Sequence, residues 1–86
     1  MHYVYIIYSQ KIDKYYIGST RNIPGRIRRH NECNKGFTST GKPWAVVYQE
    51  KFDIKTEAIQ RESQLKKWKN RSRIESLIKK NSEHPD

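Results

Sequence analysis

Glu62 is the residue whose charge sits most oddly in its sequence surroundings. Ala58, Leu65 and Trp68 should form the inward face of one helix, and Glu62, four residues after Ala58 and three before Leu65, shares that stripe. A carboxylate facing a core is unfavourable unless a cation meets it. An arginine partner and a divalent metal ion satisfy that demand equally well. A second candidate group lies on an earlier helix, where Ile23, Ile27 and His30 form one stripe and Arg26 precedes His30 by one turn. Taken alone, that pair reads as a solvated arginine and a histidine closing the helix end, where positive charge is welcome. The third oddity is tyrosine: five of the six lie within the first sixteen residues. Strand packing accounts for most of them. Tyr16, however, shares a strand face with Gly18, and a glycine inside a strand marks close approach by another group.

These residues need elements to hold them. Tyr3 to Tyr8 and Tyr15 to Thr20 are rich in β-branched and aromatic residues, and the short polar stretch Ser9 to Lys14 makes them an antiparallel hairpin. Alternation puts Tyr3, Tyr5 and Ile7 on one face and Val4, Ile6 and Tyr8 on the other. Asn22 caps a helix with Pro24 in its first turn, running to about Asn31. Cys33 to Pro43 is a loop, and Trp44 to Tyr48 a third strand. Asp53 or Thr56 opens a second helix reaching about Lys69, and a third spans roughly Ser72 to Lys80. The expected fold is α+β, a three-stranded antiparallel sheet flanked by helices in the order β-β-α-β-α-α. Residues 1–80 form a single domain, and 81–86 a polar, disordered tail.

Composition narrows the function. Eighteen Lys and Arg against nine Asp and Glu leave a net charge of +9 on 86 residues, an excess that draws polyanions and points to nucleic acid. Only 34% of the residues are apolar, enough for one modest core. The single cysteine, Cys33, allows neither an internal disulfide nor a thiolate zinc site. The apolar run His2 to Tyr8 is too short for an export or membrane segment. A cytoplasmic monomer without a membrane partner is the expectation.

The order and spacing of these residues carry a resemblance. Tyr3-Val-Tyr5 followed by Tyr16-Ile-Gly18 resembles the two-part signature of the GIY-YIG nuclease superfamily. The likeness continues through Ser19-Thr20, Arg26-Ile-Arg-Arg-His30, Lys42-Pro-Trp44 and the segment Glu57 to Trp68 that contains Glu62. It covers nearly the whole chain, which is similar to the small single-domain bacterial members and to the nuclease domain of the excinuclease incision subunit. Tyr3 and Val4 depart from the Gly and Ile of the first motif, but Tyr5 matches.

The resemblance implies a divalent-metal-dependent DNA endonuclease, acting in repair or recombination with little sequence preference. It implies a catalytic set of Tyr5, Tyr16, Arg26, His30 and Glu62. Glu62 would hold Mg²⁺, for which Mn²⁺ can substitute, and no small-molecule cofactor is needed. Arg26 would meet the charge of the transition state. Tyr16, Tyr5 or His30 would take the proton of the attacking water, a choice the residue types leave open, since a phenol near pKa 10 is a poor base unless cations lower it. Asn70 is a looser match. DNA phosphates would meet Arg21, Arg28, Arg29, Lys42, Lys66, Lys67 and Lys69. Two alternatives share the composition. One is a non-catalytic DNA-binding relic. The other is an RRM-like RNA-binding module, which Thr38 to Pro43 disfavours because it is a turn sequence where an aromatic strand is required.

Overall fold

Alternation along the first strand divides the molecule. In the computed structural model, which describes residues 1–32, 37–68 and 70–82, strand β1 (His2–Ser9) is central and nearly wholly buried. Strands β2 (Lys14–Thr20) and β3 (Trp44–Phe52) pair with it on either side, both antiparallel, giving the order β2-β1-β3. Tyr5 and Ile7 pack on one face with Ile23, Trp44 and the half-buried Tyr16 and Ile27, the last two isoleucines belonging to helix α1 (Ile23–Glu32). Val4 and Ile6 face the other way. They pack with Ala58 and Leu65 of helix α2 (Lys55–Lys66) and Ile74 of helix α3 (Arg71–Ser82). Helices therefore cover both faces of one sheet, and the order β-β-α-β-α-α is observed. The sheet holds three strands among the described residues, whereas an RRM sheet holds four.

Element ends differ from the sequence expectation. β3 continues beyond Tyr48 to Phe52 because His2 to Val4 supply pairing partners for Glu50 to Phe52. That leaves neither Asp53 nor Thr56 to open α2: its N-cap is Ile54, which offers no side-chain acceptor. The same helix ends at Lys66 rather than Lys69, with Trp68 beyond it and still packed on the core. α3 runs from Arg71 to Ser82, longer at both ends than expected. Asn70, a loose candidate for the site, caps it: the Asn70 Oδ1 accepts from the Ser72 amide at 2.9 Å. The expected loop contains a short 3-10 turn, Phe37–Thr40. Cys33, Lys69 and residues 83–86 of the expected tail lie outside the described residues.

A charged clasp ties the β1–β2 turn to α3. The Arg71 guanidinium donates to both carboxylate oxygens of Asp13, at 2.6 and 3.2 Å, and to Glu75 at 3.3 Å. Tyr8 and Tyr15 donate to Asp13 and Glu75 in turn. The clasp is solvent-exposed, so its contribution is small. Asp13 takes φ 54°, a left-handed position that an Asx side chain tolerates in a tight turn.

The tightest constraint lies at Gly18, which pairs with Tyr5 across the hairpin. A Cβ there would stand 2.5 Å from the Tyr5 hydroxyl oxygen and 2.7 Å from the ring carbon bearing it. Tyr5 is 2% exposed and has nowhere to retreat. Gly18→Ala is expected to lower the unfolding free energy by about 1–3 kcal/mol, the range for overpacking a close-packed site. Urea unfolding monitored by tryptophan fluorescence reads this as a lower midpoint. An unchanged midpoint would mean that the Tyr5 ring can swing aside.

Candidate functional site

The absent side chain at Gly18 lets the Tyr5 ring lie across β2 and reach helix α1. There its hydroxyl meets His30 Nε2 at 2.9 Å. The His30 ring is also packed edge-on against Tyr16, with centroids 5.1 Å apart, and Tyr16 in turn lies edge-on to Trp44 at 6.4 Å. The end of α1 is fixed by its next residue. Asn31 Oδ1 accepts from the Trp44 amide at 2.6 Å, and its Nδ2 donates to the Trp44 carbonyl at 3.3 Å. Both hydrogen bonds join a side chain to the first residue of β3, so α1 and the imidazole it carries are positioned from the sheet. His30 thus faces two tyrosines rather than serving only as a helix end.

Glu62 approaches from the opposite face. Ser19 follows Gly18 on β2 and therefore projects toward α2; its hydroxyl donates to Glu62 Oε1 at 2.6 Å. The second carboxylate oxygen meets Lys66 Nζ at 2.7 Å, one turn along α2. The same ammonium lies 6.0 Å from the centre of the Tyr16 ring. The cation that answers Glu62 is therefore a lysine and not an arginine. Since Tyr16 and Ser19 project from opposite faces of β2, the cluster wraps around that edge strand.

The electrostatics tie these groups together. Burial first, then the neighbouring Tyr16 and, less, Glu62, push the Tyr5 phenol up to about 12 against the pull of Arg26. His30 is held below its ordinary value by burial first and then by Arg26 and Arg29, so it is neutral at neutral pH. For Glu62 burial is the largest single influence and raises its carboxyl. Lys66, the Ser19 hydrogen bond and Arg26 together outweigh it, and the net shift is downward. Arg26 thus acts on all three groups, and among the described residues it forms no salt bridge. A mobile anion is the partner such a guanidinium suits.

The expected phosphate contacts scatter more widely. Arg21 lines a cleft beside Arg26. Arg28 points to solvent and pairs with Glu32 at 3.4 Å. Arg29 is exposed on α1 near His30, and Lys67 is the exposed C-cap of α2. Lys42 is half-buried beside Pro43. Lys66 belongs to the cluster itself. Sequence reasoning missed three positioning groups: Ser19, Asn31 and the Lys66 contact with Glu62. Only the last had a local signal, the Glu–Lys spacing of one helical turn.

Whether one divalent ion fits can be judged from the donors. The described residues contain no group of three or more His, Cys, Asp or Glu side chains that could hold a metal, which disfavours a closed all-protein site. A lone carboxylate suits Mg²⁺, which keeps most of its waters. The half-exposed Lys66 ammonium already places positive charge against that carboxylate. Glu62 is the residue that would hold the ion.

Comparison with known proteins identifies the family. The GIY-YIG catalytic domain family matches residues 1–80. The chain is 38% identical over 78 residues to a UPF0213 protein of Staphylococcus haemolyticus, covering 88% of this chain and 93% of the relative. It is 36% identical over 81 residues to a UPF0213 protein of Clostridium perfringens, covering 93% and 86% respectively. A UPF0213 protein of Staphylococcus saprophyticus is 35% identical over 77 residues. No solved structure matches. No helix among the described residues is long and apolar enough to cross a membrane. The chain belongs to the GIY-YIG family, whose catalytic domain is typically a nuclease.

Proposed function

We propose that this protein is a divalent-metal-dependent endonuclease that hydrolyses DNA phosphodiester bonds with little sequence preference. The observation that carries the reading is the convergence, around one edge strand, of the Glu62 carboxylate on Ser19, the His30 imidazole on Tyr5 and Tyr16, and the Arg26 guanidinium beside Ser19, which forms no salt bridge among the described residues. Those are the three capacities that phosphodiester hydrolysis requires: holding a cation, accepting a proton and meeting phosphate charge. We place its action in DNA repair or recombination, on branched or nicked DNA, as a cytoplasmic monomer. The charge of +9 supports a polyanionic substrate, and lysines and arginines that meet phosphates rather than base edges support weak base readout.

Each side chain has a distinct task. Glu62 would hold the divalent ion, Mg²⁺ by preference with Mn²⁺ as substitute, and a bound ion would supply Lewis-acid stabilisation of phosphate and leaving-group charge. Lys66 must release the carboxylate for this, and its half-exposed ammonium can turn to a DNA phosphate instead. Arg26 meets the extra negative charge of the transition state with its planar fork of donors. Tyr5 is too weakly acidic to be the base, because a phenol with a pKa of about 12 keeps its proton at neutral pH. His30 is the better acceptor. With the proton on Nε2 donated to the Tyr5 oxygen, the Nδ1 lone pair is available to take a proton from water. Tyr16, packed on the imidazole edge, fixes the ring plane and keeps the base from rotating.

Two outcomes follow. Glu62→Gln keeps an acceptor for Ser19 but loses the charge, and should slow metal-dependent plasmid cleavage by at least about 100-fold while leaving folding and DNA binding intact. EDTA should abolish the wild-type activity. Equal rates for the variant and the wild type would reject the site. The pH profile tests the base: His30 must be neutral to accept a proton, so kcat/KM should fall as pH drops through its lowered pKa. The acid limb should then lie below about 6.5, the ordinary imidazole value. It should vanish in His30→Gln along with most of the rate, and an unaltered limb in that variant would reject His30 as the base.

A further inference from the structure

Between the starts of α1 and α2 the surface folds into a cleft of about 330 Å³ that shares Ser19 and Arg26 with the Glu62 cluster. Its lining carries three permanent cations, Arg21, Arg26 and Lys55, and no carboxylate. Like charges gathered around a concave surface favour an anion there. A second feature adds to the charge. α2 begins at the cleft with Lys55, and its N-cap, Ile54, makes no side-chain hydrogen bond to the first-turn amides. The corresponding end of α1 is capped, with Asn22 Oδ1 accepting from the Gly25 amide at 3.2 Å. An uncapped helix start directs donors and partial positive charge outward. The third observation is independent of both. His2 lines the same cleft, and its enclosed Nδ1 has no hydrogen-bond partner among the described residues. A buried ring nitrogen left in that state calls for one.

We infer that this cleft is a second phosphate subsite, in which Arg21, Lys55 and His2 hold a backbone phosphate of the DNA strand beside the phosphate addressed at Glu62. The inference rests on the proposed action on DNA. Neither Lys55 nor His2 belongs to the residues expected from sequence to contact DNA. The shared wall explains why a strand would be registered here: a phosphate seated in the cleft places its neighbour against Arg26 and Ser19, and hence against Glu62. His2, held below its ordinary value by burial, then by the chain's amino terminus, Arg21 and Lys55, can donate one hydrogen bond without adding a further charge to the cleft at neutral pH.

The test separates binding from cutting. In the Glu62→Gln background without metal, the affinity for a duplex oligonucleotide is measured against salt concentration. Lys55→Gln and Arg21→Gln should each reduce the slope of log K against log salt by about 0.9, one phosphate contact apiece. Lys79→Gln on α3, the same loss of charge outside the cleft lining, should leave the slope unchanged. In the wild-type protein, inorganic phosphate should shift the His2 ring and Lys55 amide resonances together. Wild-type slopes for both cleft variants would overturn the subsite, as would an equal loss in Lys79→Gln. Phosphate-induced shifts without any change in the DNA slopes would assign the cleft to free phosphate and also overturn it. A protein that shows the slope changes yet cuts nothing would sink the hydrolytic reading and leave the subsite standing.

Discussion

A tyrosine ring crossing a glycine is the contact on which the site is built. Tyr5 lies in the central strand, with helices on both faces of the sheet, and its hydroxyl emerges at α1 only because Gly18 leaves room for the ring to pass. From that hydroxyl the arrangement propagates outward. His30 is fixed by Tyr5, Asn31 anchors the end of α1 to Trp44, and Trp44 packs back on Tyr16. The loop closes on itself through four elements. A small domain has little core to spare for rigidity, and here the packing that stabilises the sheet also sets the imidazole's position.

The charge excess does two opposing things within a few ångströms. It lowers the proton affinity of Glu62 and His30, so that one is ionised and the other neutral at the same pH. It fails to do so at Tyr5, where burial outweighs the Arg26 cation and the phenol rises to about 12. Burial acts with the cations at His30 but against them at Glu62 and Tyr5, and only at Tyr5 does it win. Glu62 and His30 are half-buried and feel their cationic neighbours, whereas Tyr5 is enclosed and cannot be ionised cheaply. Cations that assist the half-buried groups therefore leave Tyr5 as a fixed hydrogen-bonding partner.

Much of this was readable in the residues, for a physical reason in each case. Periodicity placed Glu62 on the inward face between Ala58 and Leu65, and both neighbours are fully buried. Alternation divided Tyr5 from Val4 correctly between the two faces. Helix and strand limits were less accessible, because β3 reaches Phe52 through pairing with His2, fifty residues away in the chain. That pairing removed the polar caps expected for α2. Asn70 shows the converse case: loosely aligned as a site residue near the end of the second helix, it instead caps α3. Asn31 left no trace in spacing, and Ser19 only a place in the resemblance without a role. Each acts across elements, through a single hydroxyl or amide whose partner is set by the packing of two other segments.

The edge position of β2 explains how so short a chain brings α1 and α2 to one place. Those helices lie on opposite faces of the sheet and would be separated by about 10 Å or more across a central strand. At the edge, residues of successive parity turn to either side: Tyr16 and Gly18 toward α1, Ser19 toward α2. Lys66 spans the border, holding Glu62 on one side while lying near the Tyr16 ring on the other. An exposed edge ordinarily invites pairing with another strand. In this protein the side chains of two helices converge on it, Ser19 meeting Glu62 of α2 and Tyr16 meeting His30 of α1.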